Sequence, residues 1–272
     1  MSFFRSADGL LPEPAWSDAP GFRLIHPREG GGGSFRKACF SWFLGTILLF
    51  FLGITRPVLA GAVTPVSAGD YPWSGYVRVT TNIGTSCTGA LVGPSTVVTA
   101  AHCLYNRHTQ AMLGAGSLHV LFGYDRGAFR QHSLVDRTVT DPAFVPGQSS
   151  SSNVVRDWAM LHITTPAPAS ATILPVSGTV APGTAARLAG FRQSKAQILT
   201  GDVDCHIQWV RPSPSGDMLG HDCASEHGVS GAPLLVRQGD HWALAGLRVG
   251  TRNAQPGMAV AVAANAFSGR LK

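Results

Sequence analysis

The chain has 272 residues, 44% of them apolar and only 13% charged, with 32 glycines and 18 prolines. That composition excludes disorder over most of the chain and points to a loop-rich globular β protein. The formal charge of +6 comes from scattered residues, chiefly arginines, without a Lys/Arg run, which argues against nucleic acid as a partner.

Residues 1–37 are polar and aperiodic, contain the run Gly30-Gly31-Gly32-Gly33, and read as a disordered extension. Arg36-Lys37 then precede an uncharged apolar run, Ala38 to Thr55, and a small-x-small ending at Ala60 to Ala62. Those three parts make residues 38–62 a secretory signal, cleaved after Ala60 or Ala62. The polar segment ahead of it is long for a signal. Two explanations stay open: a later translation start, or retention of residues 38–55 as a signal anchor near the lower limit for a spanning helix. Either way the remainder is exported, secreted or periplasmic if the signal is removed and membrane-anchored outside the cytoplasm if it is kept. A membrane is a partner only in the second case.

Beyond the leader, Gly69-Asp70-Tyr71-Pro72-Trp73 introduces a predicted strand, Gly75 to Thr80. The stretch Ser86 to Cys103, S-C-T-G-A-L-V-G-P-S-T-V-V-T-A-A-H-C, holds two β-branched apolar runs around Gly93-Pro94, the pattern of a hairpin. It ends by delivering His102 beside Cys103, and an oxidised cysteine at each end would fold the hairpin onto itself. Further strands are predicted at Gly116–Phe122 and Gln131–Val139, then a serine-rich surface loop, Gln148–Asn153, and the segment Arg156-Asp157-Trp158-Ala159-Met160-Leu161. Thr164 to Ala171, rich in Pro and Ala, reads as a linker. The second half carries strand candidates at Ile173–Val176, Ala185–Phe191, Ile198–Ile207, Ala232–Arg237, Trp242–Val249 and Met258–Val262. Short strands with regular Gly/Pro punctuation predict barrels or sandwiches.

Gly228-Val229-Ser230-Gly231-Ala232-Pro233 leads into the run Leu234-Leu235-Val236. Flanking glycines permit a tight turn that exposes the Ser230 hydroxyl and lets a substrate backbone come close. The amides of Gly228 and Ser230 are then able to converge on a developing oxyanion. Apart from Cys39 in the leader, four cysteines remain: Cys87, Cys103, Cys205 and Cys223, with three connectivities open. There is no C-x-x-C pair, and His221, Cys223 and His227 lack ligand spacing, so no metal is expected.

T-A-A-H-C with its upstream S-C-T-G, followed far downstream by G-V-S-G-A-P, resembles the trypsin/chymotrypsin-like serine peptidases over about Asp70 to Ala264. The resemblance implies an all-β, chymotrypsin-like fold of two six-stranded antiparallel β-barrels, residues 63–166 and 167–272 around a peptidase domain of 70–264, with the active site in the cleft between them. It selects Cys87–Cys103 and leaves Cys205–Cys223. It implies a triad of His102, Asp157 and Ser230 in chymotrypsin-like chain order. Asp157 matches the family's D-[IW]-A-[LM]-L segment; Asp136 and Asp141 also lie between histidine and serine but head no apolar strand. The implied function is endopeptidase action on protein or peptide substrates by a monomer without a cofactor. The alternatives are a catalytically silent homologue that binds peptides or proteins in the cleft, and a tethered envelope protein.

Two departures from the trypsin pattern matter. Val229 stands where activated trypsin-like enzymes carry the acidic residue that pairs with a freed N-terminus, and no I-V-G-G-like start exists near Ala62. The oxyanion loop must therefore be held by packing, as in the V8-like branch, which the chain resembles more than vertebrate trypsin. The segment before the serine, Cys223 to His227, has no aspartate to bind Lys or Arg, while Arg248 falls where V8-like glutamyl peptidases carry a histidine that meets an acidic side chain. Ser225 and Arg248 thus form a candidate substrate pocket for acidic or small polar side chains. Pairing of Arg248 with Glu226 would make it neutral instead, and a solvent-facing Arg248 would take no part.

Overall fold

The computed structural model describes residues 63–251 and 258–271; the expected extension (1–37) and leader (38–62) lie outside the described residues. Six strands close the first barrel: β1 (Tyr76–Thr81), β2 (Ser86–Gly93), β3 (Thr96–Thr99), β4 (Leu118–Phe122), β5 (Gln131–Thr140) and β6 (Ala159–Ile163). They pair antiparallel in the order β1-β2-β3-β6-β5-β4, and β4 returns to β1. The second barrel uses β7 (Ala185–Gly190), β8 (Thr200–Arg211), β9 (Met218–His221), β10 (Pro233–Gln238), β11 (His241–Thr251) and β12 (Ala259–Ala263). Its order, β7-β8-β9-β12-β11-β10 with β10 returning to β7, repeats that of the first.

Closure follows from strand periodicity. In β4, Leu118, Val120 and Phe122 are buried while His119 and Leu121 are less so, the alternation of a strand with one face turned inward. Val77, Val79, Leu91, Val97, Val120, Phe122 and Leu161 fill the first barrel. Leu188, Ile207, Leu219, Leu234 and Val236 fill the second. A third apolar cluster takes residues from both: Tyr76, Trp158, Leu174, Phe191, Leu235, Leu247 and Phe267. The Tyr76 hydroxyl donates to the Pro233 carbonyl at 2.9 Å, and burial pushes its pKa up. This mixed cluster holds the barrels together, so side chains from each meet along one seam.

One expectation is corrected. Ile173–Val176 is no strand: Pro175 lacks a donor, and only Val176 forms a bridge, to Leu244. The segment is apolar because the connection between barrels buries Leu174, whose amide donates to the Leu91 carbonyl at 2.9 Å. Conversely, β9 is a strand that the sequence does not announce. Its Gly220 lies beneath the Trp209 ring, where a Cβ would come within 2.0 Å of ring atoms, and its His221 is polar but wholly buried.

Candidate active site

β3 ends at Thr99, and a short 3-10 turn, Ala101–Leu104, carries His102. The Cys87–Cys103 disulfide ties this turn back to β2. The chain entering β6 brings Asp157 alongside. The His102 backbone N–H donates to Asp157 Oδ1 at 2.8 Å, and its ring Nδ1 lies 2.6 Å from Oδ2. A carboxylate only accepts, so the hydrogen of this second contact sits on Nδ1. Trp158, next in the chain, is buried with its ring 6.0 Å from that of Phe267, which anchors Asp157 in place. Asp141 accepts from Arg156 at 3.1 Å instead, and Asp136 is exposed. The serine-rich loop ahead is pinned by buried Asn153, whose side chain bonds the Val145 backbone on both sides.

Ser230 sits on a loop set by two glycines in left-handed conformations, Gly228 (φ 88°) and Gly231 (φ 74°). A Cβ on Gly228 would come within 2.1 Å of the Phe191 carbonyl, and one on Gly231 within 2.1 Å of Thr99 Oγ1 and 2.7 Å of the Ala100 amide. The serine loop thus abuts the chain that leads into His102. Thr88, the threonine of S-C-T-G, clamps it from the first barrel. Its amide donates to the Ser230 carbonyl at 2.9 Å and its hydroxyl to the Gly228 carbonyl at 3.0 Å, while the same hydroxyl accepts from the Phe191 amide. Val229 is fully buried in the apolar core of the second barrel. Among the described residues, the Gly228 and Ser230 amides meet no protein acceptor.

Of the two pocket residues expected from the sequence, Arg248 meets this loop: its carbonyl accepts from the Gly231 amide at 2.7 Å and its amide donates to the Ala232 carbonyl at 2.9 Å. Arg248 is 6% exposed, and its Nη1 donates to Ser230 Oγ at 3.1 Å. Burial, then the nearby charge of Arg192, lower its pKa to about 10, with Asp157 acting in the opposite sense. Its Nε is buried without a hydrogen-bond partner among the described residues, as is the Ser225 hydroxyl. Glu226 does not neutralise it: that carboxylate accepts from the Ser194 amide and hydroxyl, bonds that lower its pKa. Nor is Arg248 solvent-facing.

Four further residues lie around this segment, and three of them leave no sign in the sequence. Arg192 is buried and donates to the Ala224 carbonyl at 2.8 Å; burial lowers its pKa, with Glu226 and Asp202 offsetting. Buried Asp202 accepts from the Ala224 amide at 2.8 Å, so the backbone before the serine is held from both sides. The Cys205–Cys223 disulfide anchors the same segment to β8. His221 is wholly buried, with no partner at either ring nitrogen among the described residues, and burial followed by the charge of Arg248 lowers its pKa to about 3. Thr88 is the fourth. Only Thr88 has a sequence signal, its place in S-C-T-G; the others depend on burial. Cys205, Asp222 and Cys223 also cluster closely enough for a metal, but both sulfurs are spent in the disulfide.

Two closed barrels with this strand order define a chymotrypsin-like protein. A family model described as Trypsin matches residues 62–268, and the chain belongs to that family of serine peptidases. Serine protease 23 of Bos taurus is 27% identical over 185 residues, covering 62% of this chain and 47% of that protein. The glutamyl endopeptidase of Bacillus licheniformis is 27% identical over 146 residues, covering 53% of this chain and 42% of that protein. The chain thus spans less than half the length of these two curated relatives. The solved structure of Glu endopeptidase in complex with MPD aligns with a TM-score of 0.62 at 16% identity, over 76% of this chain and 94% of that one, a likeness of fold.

Proposed function

We propose that the chain is an exported serine endopeptidase that works through an acyl-enzyme on Ser230. The observation that carries this is the two-point contact between His102 and Asp157 beside a serine presented in a glycine frame. In the reaction Ser230 Oγ attacks the peptide carbonyl while His102 Nε2 takes its proton and then passes it to the leaving amine. Asp157 orients the ring and stabilises its cationic form. The Gly228 and Ser230 amides receive the oxyanion, each such donor being worth about 3 kcal/mol in the transition state. Water then repeats the attack and releases the acid. Export rests on the leader pattern and the two disulfides. Among the described residues no helix is long and apolar enough to cross a membrane; the anchor alternative concerns residues 38–55, outside them.

The pocket favours substrates with an acidic residue before the cut. Buried Arg248 has no carboxylate partner among the described residues, Arg192 adds like charge, and a carboxylate entering there would gain charge-assisted bonds.

An irreversible fluorophosphonate tests the enzyme reading. Wild type should be labelled at Ser230, Ser230→Ala not at all, and Asp157→Asn far more slowly. A folded Asp157→Asn protein that hydrolyses peptides at near wild-type rate sinks the triad. A wild type that resists the label supports the silent, peptide-binding alternative. Peptides differing only at the residue before the cut test the pocket, and efficient cleavage after Lys or Arg would overturn it.

A further inference from the structure

We propose that Arg248 is also a latch on the nucleophile, and that the acidic side chain of the substrate opens it. This rests on Ser230 as nucleophile and on Arg248 as the reader of acid. The relay is closed at one end, between Asp157 and His102. At the other end, among the described residues, no hydrogen bond joins His102 to Ser230; the serine oxygen accepts from Arg248 Nη1 at 3.1 Å instead. A guanidinium with a pKa of about 10 stays protonated at neutral pH and cannot serve as a base. Its bond engages the oxygen lone pair that must attack, and it keeps Ser230 off the imidazole.

The latch is weak by construction. Among the described residues the one side-chain acceptor of this guanidinium is a neutral hydroxyl, and Nε has no partner. Arg192 repels it, and Glu226 is held by Ser194. An entering carboxylate is the stronger acceptor and matches the guanidinium fork with two bonds. Arg248 then turns to the substrate, and Ser230 is free to rotate about χ1 to His102 Nε2. Such rotamer changes take picoseconds to nanoseconds, so the latch adds no slow step for the right substrate. It penalises every substrate that brings no acid, and the penalty falls on the chemical step as well as on binding.

The test is the rate at which the full chain is labelled at Ser230 by diisopropyl fluorophosphate, a small reagent with no acidic group. Acetate is added at constant ionic strength, with acetamide as the neutral control. Acetate should accelerate labelling of the wild type about tenfold, the worth of one hydrogen bond to a charged group, and acetamide should not. Arg248→Leu should label fast without acetate and show no response to it. Wild type that labels at Ser230 equally with and without acetate overturns the latch while leaving the nucleophile reading standing, and this arm needs no variant. Arg248→Leu labelling no faster than wild type overturns it as well. Absence of Ser230 labelling under every condition removes the nucleophile reading itself, and the latch with it.

Discussion

Acid should destabilise this fold through one residue, His221. Its imidazole is wholly buried on β9 with neither nitrogen bonded among the described residues, so it folds neutral. Burial, then the charge of Arg248, lowers its pKa from 6.5 to about 3. Between those values the unfolded chain binds a proton that the folded chain refuses, and stability therefore falls as pH falls. The contribution is complete above pH 6.5 and lost progressively down to about pH 3. At 1.36 kcal/mol per pH unit the whole window is worth about 5 kcal/mol, and about 3 kcal/mol is gone by pH 4.5. Against a typical total stability of about 5–15 kcal/mol this is large. Urea unfolding from pH 7.5 to 4, in a Ser230→Ala background that prevents self-digestion, measures it. His221→Leu has similar bulk and loses no hydrogen bond, so it should be near neutral at pH 7.5. Its stability should then fall more shallowly, the two curves separating by about 3 kcal/mol at pH 4.5. Carboxylates titrate alike in both proteins, so parallel curves would refute the reasoning.

Gly228→Ala places a Cβ within 2.1 Å of the Phe191 carbonyl in a left-handed backbone conformation; displacement of one oxyanion donor should cut kcat by about 100-fold or more, and a rate near wild type would show that this amide is idle. Thr88→Val keeps the shape but removes the hydroxyl bonds to Gly228 and Phe191. It should cost about 2 kcal/mol in denaturant unfolding and lower kcat through a looser serine loop. Because Val229 is buried and uncharged, protein with additional residues ahead of Ala62 should hydrolyse peptides without processing. Activity that appears only after a defined N-terminal cut would contradict this.

Local chemistry is legible in the sequence alone. The Gly93-Pro94 hairpin, the glycines around Ser230 and the segment before Asp157 each declare themselves within a few residues, because turn geometry and strand periodicity are short-range properties. The residue type at position 229 by itself excludes an activating ion pair, since valine carries no charge. Tertiary contacts decide the rest. Arg248 reads from the sequence as a pocket residue, a partner of Glu226 or a surface charge; Ser194, 32 residues from Glu226, takes that carboxylate and leaves the arginine on Ser230. Thr88 meets Gly228 across 140 positions, a distance no pattern spans. His221, Arg192 and Asp202 are buried only because closure of the second barrel buries them, and Ile173–Val176 is apolar because it lies between barrels, not because it is a strand. Residue chemistry is local, whereas burial and the loss of water that shifts a pKa belong to the whole fold.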